Sequence, residues 1–176
     1  MIRTLYRWLM LLPCLLSGTG IAGVPASPDI AALQARITNG QAAQAVEPLA
    51  AALEQDPDNA RLLYDHGVAS YAAGRFEDAL VSFDRVEVTG RRWLVRKARF
   101  QKGNTEYQIG LTARASNLEE TIARWRESLR DFTEILKESD EPRARENFEF
   151  VRRQLLDLLL ADARRSATLI DKLPPT

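Results

Sequence analysis

The sequence has few of the side chains on which most catalytic and metal sites depend. It contains one histidine, His66, and one cysteine, Cys14, which lies within an apolar N-terminal stretch. Without a second thiol, the chain can form neither an intramolecular disulfide nor a thiolate metal site. No cluster of residues has metal-ligand spacing, and the body of the chain has no glycine-rich phosphate loop. We therefore predict no metal, no cofactor and no catalytic residue.

An excess of charge of either sign is also lacking. The chain has 24 basic and 24 acidic residues. Residues 1–26 hold two of the basic ones, Arg3 and Arg7, and none of the acidic ones, so the remainder has a net charge of about −2. Proteins that bind nucleic acid usually carry a basic excess. We therefore expect no general affinity for nucleic acid.

Residues 1–26 have the order of a secretory signal peptide: a basic start, the apolar run Trp8–Leu16, and then small residues. We predict cleavage near Ala26, with Ala22 and Gly23 as alternative positions. An uncleaved membrane anchor stays open as a second reading, because the segment approaches the length that spans a bilayer. Lipidation of Cys14 is disfavoured by the preceding proline. Each reading places the body of the chain outside the cytoplasm, in a bacterial periplasm.

The body of the chain repeats with a period of 34 residues. Equivalent residues in two successive units are Gly40 and Gly74, Ala45 and Ala79, Leu49 and Phe83, and Ala52 and Val86. A fixed period in this range is the signature of a repeat architecture. We therefore expect a solenoid built from repeated structural units.

The second unit shows what is repeated. Leu63, His66, Gly67 and Ser70 share one helical face, and Phe76, Ala79, Phe83 and Val86 share a face of a second helix after Gly74. With Leu63, Gly67, Gly74, Phe76, Ala79 and Phe83 at its signature positions, the unit resembles the tetratricopeptide repeat (TPR). His66 occupies a packing position of this motif, which favours a packed histidine over a catalytic base.

The remaining units complete the prediction of an all-α, TPR-type solenoid without strands. The first unit begins with a short helix capped by Asp29. The third begins near Arg96, and we expect its first helix to end at Gly110, followed by a loop and a helix that starts near Asn117. A closing helix spans Arg143 to Ala163, with Ser166–Ile170 as its continuation. We divide the chain into a signal or anchor (1–26), a domain of about three units and a closing helix (27–165), and a tail (166–176).

Two short stretches of the sequence, which we call phrases, resemble a narrower group of TPR proteins. Arg99–Asn104 and the closing-helix residues Ala144, Asn147, Phe148, Val151 and Arg152 resemble periplasmic TPR proteins encoded beside von Willebrand A-domain proteins and MoxR-type ATPases, the Bat or aerotolerance group. The resemblance implies an accessory or scaffold role in an envelope complex, with von Willebrand A-domain proteins as partners. It implies contact with the membrane only through an uncleaved N-terminal segment.

The TPR resemblance also implies a concave groove lined by the first helix of each unit. The partner-binding residues that we predict for it are Arg61, Tyr64, Tyr71, Lys97, Phe100, Asn104, Arg143 and Asn147. The amides of Asn104 and Asn147 suit a peptide backbone, because an amide group both donates and accepts hydrogen bonds. This lining favours an extended or helical segment that carries acidic and apolar residues.

Other features have two interpretations. Arg92, Arg96 and Arg99 share a helical face, which either meets an acidic partner or anionic lipid, or pairs locally with acids. We expect Trp93 and Trp125 to be packing residues. The predicted function is a non-catalytic scaffold for protein–protein interaction in the cell envelope. A chaperone-like assembly factor, a self-assembling module and a cell-wall hydrolase are the alternatives.

Overall fold

A computed structural model describes residues 29–170, which form seven α-helices and no strand. The helices are α1 (Ile30–Thr38), α2 (Ala43–Gln55), α3 (Ala60–Ala72), α4 (Phe76–Thr89), α5 (Arg92–Ala113), α6 (Leu118–Glu138) and α7 (Pro142–Ile170). The predicted signal segment with Cys14, and the end of the predicted tail, lie outside the described residues. Between Asp29 and Ile170, no helix is both long and apolar enough to cross a bilayer.

The helices follow one another as pairs, α1 with α2, α3 with α4, and α5 with α6, and α7 closes the stack. Gly40 and Gly74 occupy the turns within the first two pairs, with φ values of 77° and 76°. Glycine adopts this left-handed conformation without the steric penalty that a Cβ atom brings. The side chains of Asp29 and Asn117 accept hydrogen bonds from the first turns of α1 and α6. The predicted all-α solenoid, the break at Gly74 and both caps are therefore confirmed.

Glycines of the first helix in a pair lie against aromatic rings of the second. A Cβ atom added at Gly67 of α3 would lie 2.5 Å from Phe83 Cε1, and one added at Gly103 of α5 would lie 2.9 Å from Phe132 Cζ. Both rings are fully buried. Ser128 of α6 also donates a hydrogen bond to the carbonyl oxygen of Gly103, at 2.7 Å. Because these glycines have no side chain, the two helices of each pair can approach each other closely.

The predicted end of a helix at Gly110 is wrong. α5 continues to Ala113, and only Arg114–Asn117 separate it from α6. Gly110 lies mid-helix because it makes room for Trp125, whose Cδ1 would be 2.5 Å from an added Cβ. The inserted residues therefore lengthen α5 and α6 to 22 and 21 residues, against 13 and 14 for α3 and α4. The extension of α6 from its Asn117 cap is as predicted.

The closing helix α7 has an apolar inner face and a polar outer face near its start. Ala144, Val151 and Leu155 are buried in the cluster that contains Phe132 of α6. On the outer side, Arg152 pairs with Glu149 at 2.7 Å. A polar outer face is typical of the terminal element of a repeat stack. The helix runs on through Ser166–Ile170, as predicted.

Replacing Gly67 by alanine should lower the free energy of unfolding. The added Cβ would collide with the buried ring of Phe83, and overpacking of this kind costs about 1–3 kcal/mol. The higher helix propensity of alanine offsets about 1 kcal/mol, so we expect a net loss of about 1 kcal/mol, measured by urea unfolding. In a Phe83→Leu background the substitution should be neutral or stabilising. Equal losses in both backgrounds would contradict a direct contact.

Candidate functional site

Two adjacent cavities lie along α5 on the side that faces α3 and α7. The first, which we call the basic cavity, has a volume of about 290 Å3 and is lined by Tyr64, Arg96, Lys97, Phe100, Gln101, Ile135, Glu141 and Arg143. The second, the aromatic cavity, has a volume of about 130 Å3 and is lined by Tyr71, Asn104, Tyr107, Gln108, Phe132, Asn147, Phe150 and Val151. Together they form the groove.

Seven of the eight residues predicted to bind a partner line this groove. Four lie in the basic cavity and three in the aromatic cavity. The eighth, Arg61, lines neither cavity. Its Nε lies 3.3 Å from Oδ2 of Asp65, and the same carboxylate oxygen accepts a hydrogen bond from Gln34 of α1 at 2.6 Å. Asp65 therefore joins α3 to α1 and also pairs with Arg61, whose contact with a partner stays a prediction.

A chain of amides joins the two cavities. The Nδ2 atom of Asn147 donates to Oδ1 of Asn104 at 2.8 Å, and Nδ2 of Asn104 donates to Oε1 of Gln101 at 3.2 Å. The first bond links α7 to α5 and the second runs along α5. Each asparagine keeps hydrogen-bonding capacity beyond these contacts, since an amide offers two donor hydrogens and two acceptor lone pairs.

The aromatic side chains of the groove rest on buried rings of the core. Phe100 meets Phe132 edge-on with ring centroids 5.8 Å apart, and Tyr107 stacks on Trp125 at 5.5 Å. Tyr107 also meets Phe150 at 5.5 Å, and the Phe150 side chain is exposed. Contacts with buried core residues therefore hold the aromatic side chains of the groove in position.

Residues 36–87 match the tetratricopeptide repeat.

The matched repeat extends from the end of α1 to near the end of α4, and it includes Tyr64 and Tyr71 of the groove. Repeats of this kind are typical of non-catalytic scaffolds that bind protein partners. No curated protein matches the chain, so no relative supports the resemblance to the Bat group. The lining contributed by α5 and α7 lies beyond the matched residues.

The basic run at the start of α5 does not act as one surface. Arg92 and Arg99 reach Glu138 of α6, at 3.5 and 3.9 Å, whereas Arg96 lines the basic cavity. Lys102 pairs with Asp84 of α4 at 2.6 Å. Sequence spacing places Arg92, Arg96 and Arg99 on one helical face, but the acids that meet that face come from neighbouring helices. Local pairing is therefore the correct reading for Arg92 and Arg99.

Two residues of this region, Trp93 and Arg96, lie outside the predicted partner-binding set, although Arg96 belongs to the basic face for which an acidic partner is one interpretation. Trp93 is 45% exposed, and Nζ of Lys97 lies 5.3 Å from the centroid of its ring. The predicted packing role therefore holds only in part for Trp93, which packs against Lys97 and keeps an exposed ring surface. It is confirmed for Trp125, which is fully buried and donates from Nε1 to the carbonyl oxygen of Tyr107. The missed signal was helical register, since Trp93 lies one turn before the predicted Lys97.

Behind the groove, α4, α5 and α6 share a cluster of charges. Arg99 and Lys102 of α5 both approach Glu87 of α4. On α6, Asp131 is 6% exposed, and its Oδ2 has no hydrogen-bond partner within the described part of the chain. Burial raises the pKa of Asp131 to about 7, against the opposing effect of the positive charge of Lys102. Burial likewise raises the pKa of Glu106.

Stability should depend on pH through Asp131. Its pKa in the folded state, about 7, exceeds the ordinary value of 3.8, so the folded state binds the proton more tightly. The contribution of this pKa shift to the free energy of unfolding has an upper limit of roughly 4 kcal/mol. It is fully present below about pH 4 and is lost as the pH rises to about 7. Asp131→Asn should flatten this slope and be more stable than the wild type at pH 8.

The measurement is urea unfolding at a series of pH values from 4 to 8. Asp157→Asn is the matched control, since Asp157 is an exposed carboxylate on α7, and it should keep the slope of the wild type. An Asp131→Asn variant that is less stable than the wild type at pH 8 would contradict the assignment.

Proposed function

We propose that this protein is a non-catalytic scaffold that binds a segment of a partner protein in the groove formed by the basic and aromatic cavities. The observation that carries the proposal is the convergence of residues from α3, α5 and α7 on two adjoining cavities. The matched repeat supports a protein partner. Cavities of this size admit side chains of an extended or helical segment rather than a folded domain.

The lining of the groove favours a segment with acidic and apolar residues. Arg96, Lys97 and Arg143 line the basic cavity together with one acid, Glu141. The aromatic cavity offers Tyr71, Tyr107 and Phe150 among its side chains. Aromatic and arginine residues dominate the energetics of most interfaces, while exposed charge acts mainly on the association rate. Binding should weaken with added salt without being abolished.

The position of the histidine supports binding over histidine-dependent hydrolysis. Nδ1 of His66 lies 2.7 Å from Oγ of Ser82, between α3 and α4. Burial lowers the pKa of His66, which favours the neutral ring at physiological pH. The residue lines neither cavity of the groove. His66→Gln should therefore leave partner binding and biological function intact.

The proposal places the scaffold in the periplasm, where residues 1–26 would direct it. The basic start and the apolar run Trp8–Leu16 support export. The two phrases that resemble the Bat group motivate the proposal of a partner with a von Willebrand A domain, in a complex of the cell envelope. In this role the protein holds its partner in place and supplies no chemistry.

Partner capture tests the groove. We expect Lys97→Glu combined with Asn104→Ala to reduce recovery of partner proteins from native envelopes at least tenfold, because the pair inverts one charge and removes one amide. The matched control is Arg126→Glu with Gln44→Ala, which makes the same changes at exposed positions outside the groove. Circular dichroism and urea unfolding verify both proteins. Unchanged capture by the groove variant would exclude the groove as the binding site.

Export is tested by fusing residues 1–30 to a reporter that is active only outside the cytoplasm. The fusion should be active, because the basic start and apolar core direct secretion. Replacing Leu12 and Leu15 by aspartate interrupts the apolar core and should abolish the activity at equal expression. An inactive wild-type fusion that is expressed normally would reject export.

A further inference from the structure

Unpaired positive charge is concentrated at the basic cavity. Arg96, Lys97 and Arg143 form no ion pair with any residue between Asp29 and Ile170. The neighbouring cations of α5 differ, since Arg92, Arg99 and Lys102 all pair with acids of α4 or α6. Three like charges around one cavity repel one another, and an anion that enters relieves the repulsion.

The remaining lining limits what the anion is. Glu141 is the one acid that lines the cavity, so the net charge of its lining side chains is +2. Phe100, Tyr64 and Ile135 add apolar surface to the same cavity. Its volume of about 290 Å3 is at the small end of ligand pockets. One carboxylate side chain with its aliphatic stem fits these conditions.

Trp93 extends this site beyond the rim of the cavity. The residue lies one turn before Lys97 on α5, it is 45% exposed, and the Lys97 ammonium lies over its ring at 5.3 Å. The contact orients Lys97 and leaves the remaining ring surface open. An exposed tryptophan beside fixed cations offers apolar area next to a site for negative charge.

We propose that Trp93 and Arg96, with Lys97 and Arg143, form a subsite for an acidic side chain flanked by an apolar residue. The carboxylate of a glutamate or aspartate in the partner enters the basic cavity, and the neighbouring apolar side chain packs on Trp93. The subsite rests on the proposed function. It adds that the groove selects a partner segment in which an acidic residue stands next to an apolar one. Arg96 and Trp93 are specificity-determining residues in this arrangement.

Two peptides of matched shape test the subsite: acetyl-Phe-Glu-Glu-Leu-amide and acetyl-Phe-Gln-Gln-Leu-amide. Each is titrated into the 15N-labelled full chain, and the indole N–H signal of Trp93, assigned with Trp93→Phe, is followed by NMR. We expect the glutamate peptide to shift this signal and to bind at least tenfold more tightly than its glutamine twin. Arg96→Ala combined with Arg143→Ala should weaken it at least tenfold, and Trp93→Ala about threefold to tenfold.

Two further variants separate the subsite from general electrostatic attraction. Glu141→Gln removes the acid from the cavity and should strengthen binding of the glutamate peptide severalfold. Arg153→Ala removes an exposed arginine of α7 that lines neither cavity and should leave binding unchanged. Equal weakening by Arg153→Ala and by the Arg96→Ala, Arg143→Ala double variant would overturn the proposal.

The proposal is also overturned if the two peptides bind alike, or if the Trp93 signal does not move. Partner capture through the groove can still succeed in those cases, because it depends on Asn104 and on the aromatic cavity as well. Conversely, selective binding of the glutamate peptide together with unchanged capture by Lys97→Glu, Asn104→Ala would leave the subsite standing and reject the proposed function. The two failures are therefore distinguishable.

Discussion

The approach of a glycine to a buried aromatic ring is the contact on which the rest of the structure depends. Gly67 meets Phe83 in one helix pair, and Gly103 meets Phe132 in the next. Each contact fixes the spacing of two helices and thereby determines which residues of the first helix remain on its free side. Those free sides supply the groove. The polar and aromatic residues of the proposed binding surface are thus positioned by packing contacts whose rings are fully buried.

The two sides of α5 lie in different environments. The side of α5 that bears Lys97 and Asn104 lines the cavities, whereas Arg99 and Lys102 are held by acids of α4 and α6. The neighbouring helices therefore decide which cations are neutralised and which stay available. The net charge of the chain does not reveal this difference between paired and unpaired cations, since the whole chain has equal numbers of basic and acidic residues.

Periodicity explains what could be predicted and what could not. The repeat of 34 residues and the glycines in the turns of the first two helix pairs can be recognised in the sequence, so the solenoid and seven of the sixteen residues that line the groove could be predicted from it. Helical spacing shows which residues share a face but not what that face meets. For this reason the sequence predicts a helix end at Gly110, although Gly110 accommodates Trp125, and it does not predict the exposed surface of Trp93. The bond between Asn147 and Asn104 joins residues 43 positions apart, a separation that no local pattern encodes.

The hydrogen bond between Asn147 and Asn104 has a consequence for how the proposed groove would bind a peptide. The bond occupies one donor hydrogen of Asn147 and one acceptor lone pair of Asn104, so a peptide group of the proposed partner can bind to the remaining positions without breaking it. A group that breaks the bond without replacing it leaves polar atoms unsatisfied at a cost of about 1–3 kcal/mol. In the proposed groove the paired amides would therefore discriminate between segments by the register of their backbone, because only a segment in register adds hydrogen bonds to the pair.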